Sequence, residues 1–167
     1  MELTEQGETA PWFTKVWDPL FWPKIQTFLW LLMRRKTLTW ENLRKKGFEG
    51  PSFCPMCNQA EETMNHLFNT CEWANHIWQG LEAIMQQHNR DLESIQNTIT
   101  NWPSNYSENP QINSIWKILP GFISWTIWKE RNRRIFQNEH RDIEHLKVTL
   151  IENIRQLIVV KSQIDPS

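Results

Sequence analysis

Four metal donors fall within 18 residues of this chain, Cys54, Cys57, His66 and Cys71, in the order Cys-x2-Cys-x8-His-x4-Cys. No other feature of the sequence constrains the fold as much. A Cys-x2-Cys pair sets two thiolates on one tight turn, both able to reach a single ion at about 2.3 Å. The later His and Cys complete four soft or borderline ligands, a set that suits tetrahedral zinc, which brings no redox chemistry. With every position filled by protein, the ion would be structural. Two other readings compete. A redox dithiol of the thioredoxin kind follows a buried strand, whereas Gly50, Pro51 and Ser52 precede this pair. Three unrelated buried cysteines are the blandest alternative. His76 and His88 are spare imidazoles, both expected on a helix surface. An odd cysteine count with no export signal argues against a disulfide scaffold.

Around this cluster the hydrophobic pattern is helical. Pro23 opens a segment in which Ile25, Phe28, Leu29, Leu32 and Met33 keep i, i+3, i+4, i+7, i+8 spacing. Thr39 reads as the N-cap of a short helix through Leu43, with Gly47 as its stop. Thr63 reads as the N-cap of a helix carrying His66 and Leu67, aiming the imidazole at the cysteine turn. Trp73, Ile77, Leu81, Ile84 and Met85 form one apolar face. The polar stretch 101–110 reads as a linker. Beyond it Ile112, Ile115, Trp116, Leu119, Ile123 and Ile127 make a stripe that Pro120-Gly121 should kink. Asp142 can cap a last helix with Ile143, Leu146, Leu150, Ile154 and Leu157 at helical intervals. The expected fold is all-α: a flexible tail at 1–14, a zinc-knuckle domain at 15–100, the linker, and a hairpin-like helical segment at 111–167.

Hydrophobic residues are 40% and charged residues 22% of the chain, an ordinary globular balance that excludes wholesale disorder. No apolar run approaches the roughly 18–20 residues of a spanning helix, so no membrane segment is expected. Met1 to Ala10 is polar and acidic, unlike a secretory signal, which leaves the nucleus or the cytoplasm as the expected compartment. The net charge of −1 conceals a division. Lys24 to Lys46 holds seven Lys/Arg against Glu41, and Asn58 to Glu108 holds seven Asp/Glu against Arg90. Eleven tryptophans are more than a small helical core comfortably buries. Trp12, Trp22, Trp40 and Trp102 flank the helices and are the first candidates for exposed anchors, against the competing reading that each packs in the core or between lobes.

Several stretches together resemble a known family: Trp17 ahead of the first helix, PKIQTFLW at 23–30, NLRKKG at 42–47 and CPMCNQAEETMNHLFNTCEWANHIW at 54–78. They resemble the zinc-binding domain that follows the reverse transcriptase in plant LINE-type retrotransposons, the zf-RVT family. LPGFISWTIWKERNRRIF at 119–136 resembles the helical segment after that domain. The resemblance implies zinc on Cys54, Cys57, His66 and Cys71, and a nucleic-acid context. The chain departs from the family pattern in having Trp22-Pro23-Lys24 for Pro-Pro-Lys and Leu31 for an Arg.

No enzyme is expected. The four Asp residues, Asp18, Asp91, Asp142 and Asp165, are too scattered for a carboxylate–metal site, and no serine has a partnered His in a recognisable pattern. The favoured expectation is low-specificity binding of nucleic acid, RNA or single-stranded DNA. Lys24, Arg34, Arg35, Lys36, Arg44, Lys45 and Lys46 would take phosphates beside a stacking ring, Trp40, with Lys129, Arg131, Arg133 and Arg134 extending the face. Cations at helix C-termini also occur for dipole reasons alone. The alternative is a host-retained adaptor or regulator that binds a protein through exposed tryptophans, with homo-oligomers as one outcome.

Overall fold

The computed structural model describes residues 10–164. Its helices are α1 (Phe13–Val16), α2 (Pro23–Met33), α3 (Trp40–Lys45), a π turn (His66–Thr70), α4 (Glu72–Met85), α5 (Ile95–Asn101), α6 (Pro110–Gln137) and α7 (Ile143–Ile164). Among the described residues the only β pairing is one bridge, Phe53 with Glu61. None of their helices is long and apolar enough to cross a membrane. The fold is all-α, as expected.

The 28-residue helix α6 is the axis of the molecule. It packs against α1, α2, α4, α5, α7 and the π turn, and a helix surrounded this way must be apolar on most faces. Trp116, Ile118, Leu119, Phe122, Ile123 and Ile127 are all buried. Pro120 lies inside α6 and has no N–H to give the carbonyl one turn back. That orphaned oxygen, on Trp116, instead accepts the indole N–H of Trp102 at 3.0 Å. Gly121 is fixed by close approach, because a Cβ there would run into Phe21 and Leu29 of the α2 side.

This contact packs part of 101–110, whose polar composition reads as a linker, into the core. Trp102 is buried, the Tyr106 ring stacks on Trp116 at 4.8 Å, and the Tyr106 hydroxyl donates to the Met85 carbonyl at 3.0 Å. The segment is a packed connection that ties the two halves of the chain into one core. Of the four candidate anchors, Trp102 follows the core-packing reading. Trp12 and Trp40 are half-buried, and Trp22 and Trp17 are exposed. Of the tail expected at 1–14, residues 1–9 lie outside the described residues, and Phe13 begins α1.

The C-terminal hairpin follows its sequence signals. Asn138 takes a left-handed φ of 53° after α6, and Asp142 accepts the His145 N–H at 2.7 Å at the start of α7. Leu146, Leu150 and Leu157 of α7 are buried.

Candidate metal centre and the basic segments

The cysteine turn is a backbone knuckle. The Asn58 N–H donates to the Cys54 carbonyl at 2.8 Å, and Asn58 takes a left-handed φ of 56°. The Cys54 N–H donates to Ala60 at 2.7 Å and the Glu62 N–H to Ser52 at 2.8 Å, closing the loop on itself. Backbone N–H groups of Met56 and Cys57 face the Cys54 sulfur, and that of Trp73 faces the Cys71 sulfur. Donors aimed at sulfur favour thiolate over thiol.

His66 and Cys71 come from the second wall. The Thr63 hydroxyl accepts the His66 N–H at 3.0 Å, the cap the sequence suggests. The following turn has π geometry, in which the Cys71 N–H reaches back to the His66 carbonyl at 2.7 Å. This explains the x4 spacing. In an α-helix, residues five apart point about 140° away from each other, whereas the wider i→i+5 turn brings Cys71 back over His66.

The four donor atoms lie within 4.8 Å of one another. The Cys54 and Cys71 sulfurs are 3.9 Å apart, and Cys57 Sγ is 3.4 Å from His66 Nε2. A zinc tetrahedron with bonds of about 2.3 Å to sulfur and 2.0–2.1 Å to nitrogen has edges of roughly 3.8 Å and 3.6 Å. The residues fit the ion. Cys54 and Cys71 are buried, and the donors share protons among themselves. The neighbouring Cys71 thiol holds Cys54 down at about 4, and Cys71 is pushed up in exchange. Hydrogen bonding to Cys54, and then to Cys57, raises His66 to about 8 against the opposing effect of burial.

A second set of contacts grips the knuckle from α6. The Glu62 carboxylate is buried and receives Arg131 Nε at 2.7 Å, Arg131 Nη2 at 2.9 Å and the Trp40 N–H at 2.7 Å. Glu130, also buried, receives Arg134 Nε at 2.9 Å and the Arg141 N–H at 3.0 Å. Arg134 Nη1 donates to the Met56 carbonyl at 2.8 Å, between the two knuckle cysteines, and its guanidinium lies 4.1 Å from the Trp73 ring centroid. Arg134 thus links α6, the cysteine turn and the first turn of α4.

These contacts correct part of the proposed basic face. Arg131 and Arg134 are buried and committed to carboxylates, so they cannot meet phosphates. Arg133 is mostly covered and pairs with Glu130 and Glu139. Lys129 is half-buried over Trp125. Trp40 is half-buried with its ring against Gly50, where a Cβ would collide with it, and so is no free stacking ring. Thr39 sits at the N-cap of α3, but its hydroxyl makes no bond, and Glu62 serves the Trp40 N–H instead. Lys24, Arg34, Arg35, Lys36, Arg44, Lys45 and Lys46 remain exposed. Arg44 pairs with Glu61 at 2.9 Å and Lys45 with Glu41 at 3.3 Å, while Asn42 bonds the Arg35 and Thr37 carbonyls, tying the end of α2 to the first turn of α3.

The fold and this closed four-donor cluster define a small helical protein built around a structural zinc site. Residues 1–78, a little under half of the chain, match the family described as zinc-binding in reverse transcriptase, and that match holds the Cys54, Cys57, His66 and Cys71 cluster. The chain is 24% identical over 129 residues to a ribonuclease H protein of Arabidopsis thaliana. The match covers 76% of this chain and 20% of that relative, so the chain spans about a fifth of its length. No solved structure gives a significant match.

The carboxylates Glu62 and Glu130 were not identified from sequence. The i, i+4 relation of Glu130 to Arg134 was a usable signal. The pairing of Glu62 with Arg131, 69 residues away, left none.

Proposed function

We propose that this chain is a non-catalytic, zinc-organised module derived from a reverse-transcribing retroelement, and that it binds single-stranded nucleic acid, RNA or DNA, with little sequence preference. The observation that carries this reading is the exposure of six cations on two successive helices. Arg34, Arg35 and Lys36 after α2, and Arg44, Lys45 and Lys46 at the end of α3, stand exposed, and Asn42 ties the first turn of α3 to the end of α2. Phosphate contacts from such a surface are sequence-independent and weaken with salt. The non-catalytic part is supported by the donor set, because four protein ligands leave a zinc ion no open position for water or substrate. The module belongs to the nucleus or the cytoplasm. Fluorescence anisotropy of a labelled single-stranded RNA at two salt concentrations tests the reading. Binding that weakens steeply as salt rises is expected. No binding at low salt, or binding indifferent to salt, would contradict it.

A second reading, a protein-interaction adaptor, is favoured by the outer face of α7. There Val148, Ile151 and Ile158 are exposed opposite the buried Leu146, Leu150 and Leu157. Light scattering on the purified chain separates the two, since a monomer that binds RNA supports the first and a dimer indifferent to RNA supports the second.

A further inference from the structure

Two aromatic rings stand in solvent beside the cations of α3. Phe48 is 58% exposed and Phe53 55%, although removing such a ring from water is favourable. Both are fixed to the same small surface. The Phe48 N–H donates to the Leu43 carbonyl at 3.1 Å, which seats the ring just beyond Lys45 and Lys46. Phe53 pairs through its backbone with Glu61, whose carboxylate holds Arg44 Nη1 at 2.9 Å. Arg44 therefore reaches from the Phe48 side to the Phe53 side.

The loop between the rings is anchored as well. Gly47 takes a φ of +85°, which turns the chain sharply after α3. Gly50 lies directly on the Trp40 ring with no room for a Cβ, so Trp40 supports the loop from beneath. Cys54 then enters the metal knuckle. The two exposed rings are thus presented by a braced segment, with cations alongside and Glu49 as the one exposed carboxylate within the loop itself.

We propose that Phe48 and Phe53 form a stacking platform for unpaired bases of single-stranded nucleic acid, with Arg44, Lys45 and Lys46 contacting the flanking phosphates. This rests on the nucleic-acid reading above and moves the stacking role from Trp40 to the two phenylalanines. Separate rings edged by cations suit bases strung on an anionic backbone, because every base offers a π face and stacking tolerates any sequence.

The test uses the full zinc-loaded chain and a fluorescein-labelled oligouridine, with zinc content checked for each variant because Phe53 adjoins a ligand. Phe48→Ala and Phe53→Ala should each weaken binding by about 5- to 100-fold, with the salt dependence unchanged. Phe48→Trp should restore the affinity, and a duplex of equal length should bind less tightly than the single strand. Glu61→Gln, which releases Arg44, should tighten binding and steepen its salt dependence. If both alanine variants bind like the parent, or the duplex binds as tightly as the single strand, the platform is overturned while the phosphate-binding surface stands. If the parent chain does not bind at low salt, both fail, and the rings would then belong to a protein contact.

Discussion

Residues 34–46 and 129–134 look alike as sequence. Each crowds Lys and Arg at the end of a helix with a single Glu among them. Their fates are opposite. In the first, the cations stay exposed, and two of them hold only surface ion pairs, which are worth little. In the second, Arg131 and Arg134 are buried with bidentate or multiple partners. Burying an arginine is tolerated only when its charge and its donors are all matched, and here two buried carboxylates and a knuckle carbonyl supply the match. The contrast shows that a run of positive charge defines a surface only after the carboxylates around it have been placed. One basic segment holds a metal knuckle in position while the other keeps its cations at the surface.

The largest effects should come from breaking the buried segment. Arg134→Ala leaves Glu130 buried without its principal partner and frees the Met56 carbonyl, a loss of about 3–5 kcal/mol. Denaturant unfolding should show it, and zinc should pass to a competing chelator more readily than from the parent. Arg131→Ala should cost about 3 kcal/mol by the same reasoning, eased because Glu62 keeps the Trp40 N–H. Equal stability of either variant with the parent would erase the difference between the two segments.

The exposed segment should respond in the opposite way. Lys36→Gln and Lys46→Gln should leave stability within about 0.5 kcal/mol but lower the logarithmic salt slope of single-strand binding by about 0.7 each. The same contrast extends to pH through Lys129, which burial, and then Lys24, Arg133 and Arg141, push below its ordinary value of 10.5. A cation whose folded pKa is depressed penalises the fold at neutral pH, and the penalty disappears as pH rises through that value toward the unfolded one. Lys129→Met should therefore stabilise the chain at pH 7 by no more than about 1 kcal/mol, discounted for its partial exposure. The gain should shrink as pH approaches 10.5. A gain that grew with pH would show that Lys129 is stabilised by a partner like its two neighbours on α6.

What the sequence made legible was local. The ligand spacing, the Thr63 and Asp142 caps and the glycine stop at Gly47 each depend on residues a few positions apart, so pattern and chemistry sufficed. What escaped was long-range. Trp102 lies in a segment whose polar composition reads as a linker, and only the carbonyl freed by Pro120 gives its indole a reason to be buried. Arg131 carries no mark that separates it from a solvated arginine, because its partner Glu62 lies on the far side of the knuckle. Trp40 was the expected stacking ring because tryptophan is the better stacker. Gly50 claims its face, and the smaller Phe48 and Phe53 are left outside. The short helix α5 leaves no helical stripe in the sequence, because Ile95 and Ile99 are too few to form one.

The most direct test is the metal content of the full chain, purified without chelators and measured by native mass spectrometry. The account requires one zinc per chain, whose removal unfolds the knuckle and loosens α6 from it. Less than about half an equivalent, or a chain whose fold and stability are unchanged when the metal is stripped, would contradict it.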